Sequence, residues 1–166
     1  PLRTVGPATA LLDGQSRTVT VNSAGVYSAS VNTTTLGSRN VTVTYNPGNG
    51  NYSTSTNSTR VTVSARTTNM TVSATNVVVG QNTTVTGVVK DQFGQLVTVG
   101  SVTVTVDGQS RTVNVNSGTG VYSASVNTTS VGNRTVTVVY NAPNNGNYTG
   151  STNNTGRVTV SARTTN

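Results

Sequence analysis

Few of the 166 residues carry side chains that could do chemistry. The chain has no His, Cys or Glu, a single lysine, Lys90, and three carboxylates, Asp13, Asp91 and Asp107. General acid–base catalysis draws on His, Glu, Asp or Lys held close together. A nucleophilic Ser or Thr needs a base beside it, and none can be assigned to the 53 hydroxyl residues. We therefore predict no catalytic residue and no enzymatic activity.

The chain also has few residues that could bind a metal ion or a cofactor. Structural zinc is held by Cys and His, both absent from this chain. Calcium is bound by several carboxylate oxygens within one short loop, whereas the three aspartates are widely separated in the sequence. The sequence therefore predicts no metal-binding residue, no cofactor-binding residue and no cofactor.

Asparagine is the remaining residue type that could take part in a specific reaction, as an acceptor of N-linked glycans. Ten of the 21 asparagines stand in Asn-X-Ser/Thr triplets, against roughly seven expected by chance at this Ser and Thr content. The ten candidate glycosylation sites are Asn32, Asn40, Asn51, Asn57, Asn69, Asn82, Asn127, Asn133, Asn147 and Asn153. Without glycans, these residues would make a neutral, hydrated surface.

The positive charge is dispersed rather than clustered. The net charge is +7, but no basic run or interleaved aromatic residues favour a nucleic-acid partner. Eight arginines recur in pairs at equivalent positions, which indicates repeated solvated sites: Arg17 with Arg111, Arg39 with Arg134, Arg60 with Arg157, and Arg66 with Arg163. We expect no nucleic-acid binding. No apolar run exceeds three residues, so we expect no membrane span in this segment.

The chain contains one module in two copies. The heptapeptide Asp-Gly-Gln-Ser-Arg-Thr-Val starts at Asp13 and again at Asp107, an offset of 94 residues. Residues 26–32 recur as 121–127, and residues 60–69 recur as 157–166. We therefore divide the chain into a complete module at 70–166 and a first module at 1–69 that lacks the opening strands, the counterpart of residues 70–95.

Valine and threonine alternate along the second copy with the period of two that places one strand face in a core and the other in water. The pattern predicts strands at 71–74, 83–90, 101–106, 111–116, 121–127, 134–140 and 157–162. Seven short strands in about 100 residues are typical of an immunoglobulin-like sandwich. The predicted fold class is all-β, with tandem immunoglobulin-like Greek-key β-sandwich modules.

Turn chemistry accounts for the carboxylates. Asp-Gly at 13–14 and at 107–108 lies between alternating runs, as two-residue hairpins prefer. Asp91 lies in a third turn sequence, Lys-Asp-Gln-Phe-Gly. With only three carboxylates, all structural, we expect stability to change little with pH.

The closing part of each copy has a distinctive pattern. Residues 43–52 read Val-Thr-Tyr-Asn-Pro-Gly-Asn-Gly-Asn-Tyr, a Ser-Thr loop follows, and Val-Thr-Val occupies 61–63; the pattern recurs from Tyr140. Together with residues 87–94 and 100–104, it resembles the bacterial and archaeal immunoglobulin-like repeats of the Big type. That resemblance implies a spacer in a surface adhesin or a cell-wall-anchored protein.

These observations favour a non-catalytic structural repeat of an extracellular, cell-surface, adhesin-like stalk or filament. Its expected partners are other copies of the same module or chain. A module without opening strands exposes a sheet edge that a neighbouring strand could complete, so strand donation in a filament is one possibility, and truncation of a longer array is the other. The alternative function is a carbohydrate-binding or cell-wall polymer-binding module that uses exposed Tyr, Asn and Arg.

Overall fold

The computed structural model describes residues 6–48, 50–144 and 146–166. These residues form strands and turns but no helix, which confirms the predicted all-β class, and so none of them belongs to a helix able to cross a membrane. The chain divides into two compact units, the first ending at Ser64 and the second running from Ala65 to Asn166. Residues 1–5 of the predicted first module lie outside the described residues.

The first unit is a single antiparallel sheet. Its strands are β1 (Pro7–Leu12), β2 (Gln15–Thr20), β3 (Gly37–Tyr45) and β4 (Ser55–Val63). They lie in the order β2-β1-β3-β4. Within the described part of this unit no second sheet packs on the first, although Ala8, Ala10, Leu12 and Val21 are buried.

The second unit is a two-layer sandwich. Its strands are β5 (Thr68–Met70), β6 (Ser73–Ala74), β7 (Val77–Val78), β8 (Asn82–Asp91), β9 (Ser101–Val106), β10 (Gln109–Asn114), β11 (Val121–Asn127), β12 (Gly132–Asn141) and β13 (Ser151–Ser161). One sheet has the order β10-β9-β12-β13-β7. The other has the order β11-β8-β5, with β6 also paired to β8. The chain crosses between the sheets from β6 to β7, from β7 to β8, from β8 to β9, from β10 to β11 and from β11 to β12. These crossings give the predicted immunoglobulin-like Greek key.

Alternating valines build the core between these sheets. On β9, Val102, Val104 and Val106 are fully buried, while the intervening threonines face outward. Val85 and Val89 of β8 belong to the same buried cluster, from the opposite sheet. Each fully buried valine stabilises the fold by about 1.5–3 kcal/mol relative to an exposed one.

Both Asp-Gly turns adopt the predicted hairpin geometry. Asp107 has φ 51° and Gly108 has φ 75°, and the turn joins β9 to β10. Asp13 and Gly14 repeat this geometry at 50° and 77° between β1 and β2. Two consecutive positive φ values define the turn type whose twist matches that of the flanking strands.

Candidate functional site

The open face of the first unit is its most distinctive surface. It is a groove lined by Ala8, Val21, Tyr27, Val43, Tyr45 and Tyr52, with a volume of about 440 Å³. In the second unit the corresponding sheet is covered by β8 and β11. The open face therefore corresponds to the side of the second unit's sheet that faces the core.

Equivalent residues show what the missing layer changes. Tyr122 of β11 is 1% exposed, and its hydroxyl donates a hydrogen bond to the carbonyl oxygen of Thr71 at 2.6 Å. Its counterpart Tyr27 is 45% exposed. Val158 of β13 is fully buried, whereas its counterpart Val61 is 38% exposed. These two residue types are thus buried in the second copy and partly exposed in the first, although Ala8, Ala10, Leu12 and Val21 of the first unit are buried as well.

The two turn aspartates are held in ion pairs. Arg134 Nε donates a hydrogen bond to Asp107 Oδ1 at 2.5 Å, and Arg39 Nε donates to Asp13 Oδ1 at 2.6 Å. Both carboxylate side chains are 5% exposed. The expectation of singly solvated arginines was therefore wrong for Arg39 and Arg134, and also for Arg66, which pairs with Asp91. Each aspartate is 26 or 27 residues from its arginine in the sequence. The pairing could not be predicted from so distant a pair, although both residues recur in the two copies.

The third carboxylate, Asp91, closes a turn. Its Oδ1 accepts hydrogen bonds from the backbone N–H groups of Phe93 and Gln95, each at 2.9 Å, and its Oδ2 accepts one from Arg66 at 2.8 Å. Burial alone raises the pKa of Asp91. The hydrogen bonds from Gln95, Arg66 and Phe93 outweigh burial and hold the pKa below its ordinary value.

The lowered pKa of Asp91 changes the expectation that stability varies little with pH. A depressed folded-state pKa stabilises the fold above the unfolded-state pKa, and that stabilisation is lost as the pH falls through the folded-state value. We therefore expect protonation of Asp91 to lower the stability of the second unit in acid.

Hydroxyl groups pair across the outward face of each Asp-Gly hairpin. Thr103 and Thr112 lie across the β9–β10 hairpin with their Oγ1 atoms 2.8 Å apart. Thr9 and Thr18 repeat the pair across β1 and β2 at 2.9 Å. In each pair the two hydroxyl groups hydrogen-bond to each other, and neither is activated as a nucleophile.

Nine of the ten candidate glycosylation asparagines are exposed, and Asn153 is the exception. Asn153 is half-buried, and its Nδ2 donates a hydrogen bond to the carbonyl oxygen of Met70 at 2.8 Å. An N-linked glycan bonds to that same nitrogen, so this site is the least suited to modification. Asn82 and Asn127 lie directly opposite each other on β8 and β11. The Asn-X-Ser/Thr motif alone could not distinguish the half-buried Asn153 from the nine exposed asparagines.

Comparisons with known proteins give structural neighbours only. No protein-family model matches the chain, and no curated protein does. Domains 4 and 5 of the S-layer protein SbsC align over 93% of this chain and 70% of that one, with 25% identity and a TM-score of 0.39. An adhesin with which an Antarctic bacterium binds ice aligns over 99% of this chain and 42% of that one, with 20% identity and a TM-score of 0.42.

A third neighbour belongs to the fibronectin(III)-like modules of Clostridium thermocellum CbhA. It aligns over 95% of this chain and 79% of that one, with 15% identity and a TM-score of 0.37. At TM-scores this low, the function has to be argued from the residues of this chain.

Proposed function

We propose that the chain is a non-catalytic structural repeat of an extracellular, cell-surface protein that forms an adhesin-like stalk or filament. The observation that carries the proposal is what the two copies share. Each repeats the Asp-Gly hairpin, the aspartate–arginine pair behind it and the threonine pair across it. These are all features that hold a scaffold together.

The partners that fit this role are other copies of the module or chain. Strands of seven to ten residues at ~3.3 Å each make a module roughly 25–35 Å long. Each added copy of the module would therefore lengthen the stalk by about that distance. The nine exposed asparagines in glycosylation triplets are proposed to carry N-linked glycans, which would add a hydrated layer to a surface with few charged residues.

Electron microscopy of the native material, combined with its intact mass, tests this role. The expected result is a filament or a projecting stalk with a module-sized axial repeat and discrete mass increments from sugars. Protease treatment of intact cells should release the module without lysis. A compact particle found only inside cells would contradict the proposal.

Binding to a carbohydrate or cell-wall polymer is a second candidate function, because three tyrosines line the open face. Tyr27, Tyr45 and Tyr52 lie beside the polar side chains of Thr56 and Asn57. Aromatic faces flanked by hydrogen-bonding groups suit sugar rings.

Retention on purified cell-wall polysaccharide measures this candidate function. Tyr52→Ala should weaken retention, because this side chain is 52% exposed in the groove. Phe93→Ala is the matched control, because Phe93 is 66% exposed but lies in the second unit. Equal retention of both variants and the parent chain would exclude the groove as a sugar site.

A further inference from the structure

Two of the repeated arginines have no side-chain partner within the described residues. Arg111 and Arg17 occupy the same place in the heptapeptide that both copies contain, and both side chains are exposed. The three carboxylates pair instead with Arg39, Arg66 and Arg134. Among the described residues, neither the Arg111 nor the Arg17 guanidinium group makes a hydrogen bond or an ion pair. Internal pairing therefore does not explain why these two arginines recur.

Both arginines lie within a strand at a free edge of a sheet. Arg111 belongs to β10 and Arg17 to β2, and each of these strands is the outermost of its sheet. Among the described residues, no strand pairs with the outer side of either one. Such an edge presents unpaired N–H and C=O groups with which a strand of another molecule can pair. Because β10 belongs to a two-layer sandwich, its free edge does not depend on the opening strands that the first copy lacks.

The hairpin geometry identifies the free donors of β10. The two-residue turn before this strand places Val106 opposite Gln109. Residues that flank such a turn exchange hydrogen bonds, and hydrogen-bonded pairs then alternate with non-hydrogen-bonded pairs along the ladder. The N–H groups of Ser110 and Thr112 therefore point away from β9, toward the open edge.

Arg111 lies on the core side of its sheet although it is charged. It is opposite Val104 of β9, which is fully buried. Residues opposite each other in an antiparallel pair share one face of the sheet, so the Arg111 side chain leaves the sheet from its inward face. Arg17 repeats this placement opposite Ala10, which is 7% exposed. A charged residue that faces inward on an edge strand is one way in which proteins prevent the addition of further strands.

The registers open to two copies of β10 show how the charge acts. Antiparallel pairing keeps inward residues opposite inward residues, which excludes a shift by one residue. In one of the two most central registers, Arg111 lies directly opposite Arg111 of the second copy. In the other, Arg111 lies opposite Val113 of the second copy, and the two Arg111 residues are diagonal neighbours about 7–8 Å apart. Like charges at these separations oppose the pairing in either register.

We propose that Arg111 and Arg17 prevent the edges of β10 and β2 from pairing with the same edges of a second copy of the chain. Gln-Ser-Arg-Thr-Val occupies both edges, so the same repulsion opposes pairing of β10 with β10, of β2 with β2 and of β10 with β2. This inference goes beyond the proposed function, and its test does not depend on that function. Copies of the module would contact one another through surfaces other than these edges.

Sedimentation velocity of the full chain over a series of concentrations tests the role of the Arg111 charge. Arg111→Thr removes the charge and supplies a residue suited to strands. We expect its dimer fraction to be at least about fivefold higher than that of the parent chain at the same concentration. Amide hydrogen exchange should show Ser110 and Thr112 protected at least about tenfold more in the dimer, because their N–H groups gain partners.

Three further variants serve as controls. Arg111→Gln keeps the aliphatic stem and should dimerise as Arg111→Thr does, which separates the charge from packing of the stem. Arg111→Lys keeps the charge and should remain as monomeric as the parent chain. Lys90→Thr makes the same change of net charge at an exposed residue of β8. Because Lys90 is flanked on its two sides by Asn69 and Leu96, this variant should also match the parent chain.

Any of three results would overturn the inference. The first is an equal dimer fraction in the parent chain, Arg111→Thr and Arg111→Gln. The second is a dimer fraction in Arg111→Lys or Lys90→Thr as high as that in Arg111→Thr. The third is dimerisation of Arg111→Thr without added protection of Ser110 and Thr112.

Discussion

The two copies allow one substitution to be made twice, in a closed core and in an open one. Val138 of β12 is fully buried in the second unit, and Val43 of β3 is its half-buried counterpart in the first. Both residues lie in the middle of an inner strand with antiparallel neighbours on each side. Replacing each by alanine therefore changes strand propensity similarly, so the difference between the two variants isolates burial.

The magnitude follows from the carbon atoms removed. Valine to alanine deletes two carbons, worth about 1.6 kcal/mol of transfer free energy when fully buried at ~0.8 kcal/mol each. The cavity left in the closed core raises the cost for Val138→Ala to about 2–3 kcal/mol. Val43→Ala leaves no closed cavity and loses only part of the transfer term, so its cost is about 0.5–1 kcal/mol.

Guanidinium unfolding followed by NMR measures both changes. Amide resonances from each unit give separate free energies of unfolding, which avoids assuming that the units unfold together. We expect Val138→Ala to lower the second unit's free energy of unfolding by at least about 1 kcal/mol more than Val43→Ala lowers the first unit's. Equal losses in the two units would refute the conclusion that Val43 is less buried than Val138.

Three further predictions concern single side chains of the second unit. Stability of this unit should fall below about pH 4. Thermal melts should show Asp91→Asn removing much of that fall, whereas an unchanged acid profile would mean that the lowered pKa contributes nothing. Tyr122→Phe should cost about 1–2 kcal/mol in denaturant titrations, because the Thr71 carbonyl loses its buried donor, and a neutral result would argue against that hydrogen bond. In a host that attaches N-linked glycans, peptide mass spectrometry should find Asn153 unmodified and Asn82 occupied, and the reverse pattern would contradict the assignment of exposure.

Strands that show their alternating pattern within their own residues could be predicted from the sequence. The strands at 101–106 and 121–127 match β9 and β11 residue for residue. In β9 valine alternates with Ser or Thr, and in β11 the inward residues Tyr122, Ala124 and Val126 alternate with outward ones. The opening strand was predicted as one piece at 71–74, but it is divided into β5, β6 and β7. The division arises because β5 and β6 pair with β8, whereas β7 pairs with β13 in the other sheet.

Features that depend on distant residues were not predictable. β13 begins at Ser151, six residues before the predicted strand, because the polar run that follows it pairs with the end of β12. Residues 26–32 show the limit most clearly, since the same seven residues form a strand only where β8 is present. The repeat indicated that the first copy lacks a counterpart of the opening strands, but only the folded structure shows the groove lined by tyrosines.

The pairing of β7 with β13 has a mechanical consequence for the second unit. Val77 and Val78, near its start, lie parallel to Val160 and Ser161, near its end. Val79 N–H adds a hydrogen bond to the Ser161 carbonyl oxygen at 2.8 Å. Tension applied to the two ends would slide these strands past each other and load their hydrogen bonds together, rather than opening them one at a time. A tether built from such modules would stay short until the bonds ruptured together.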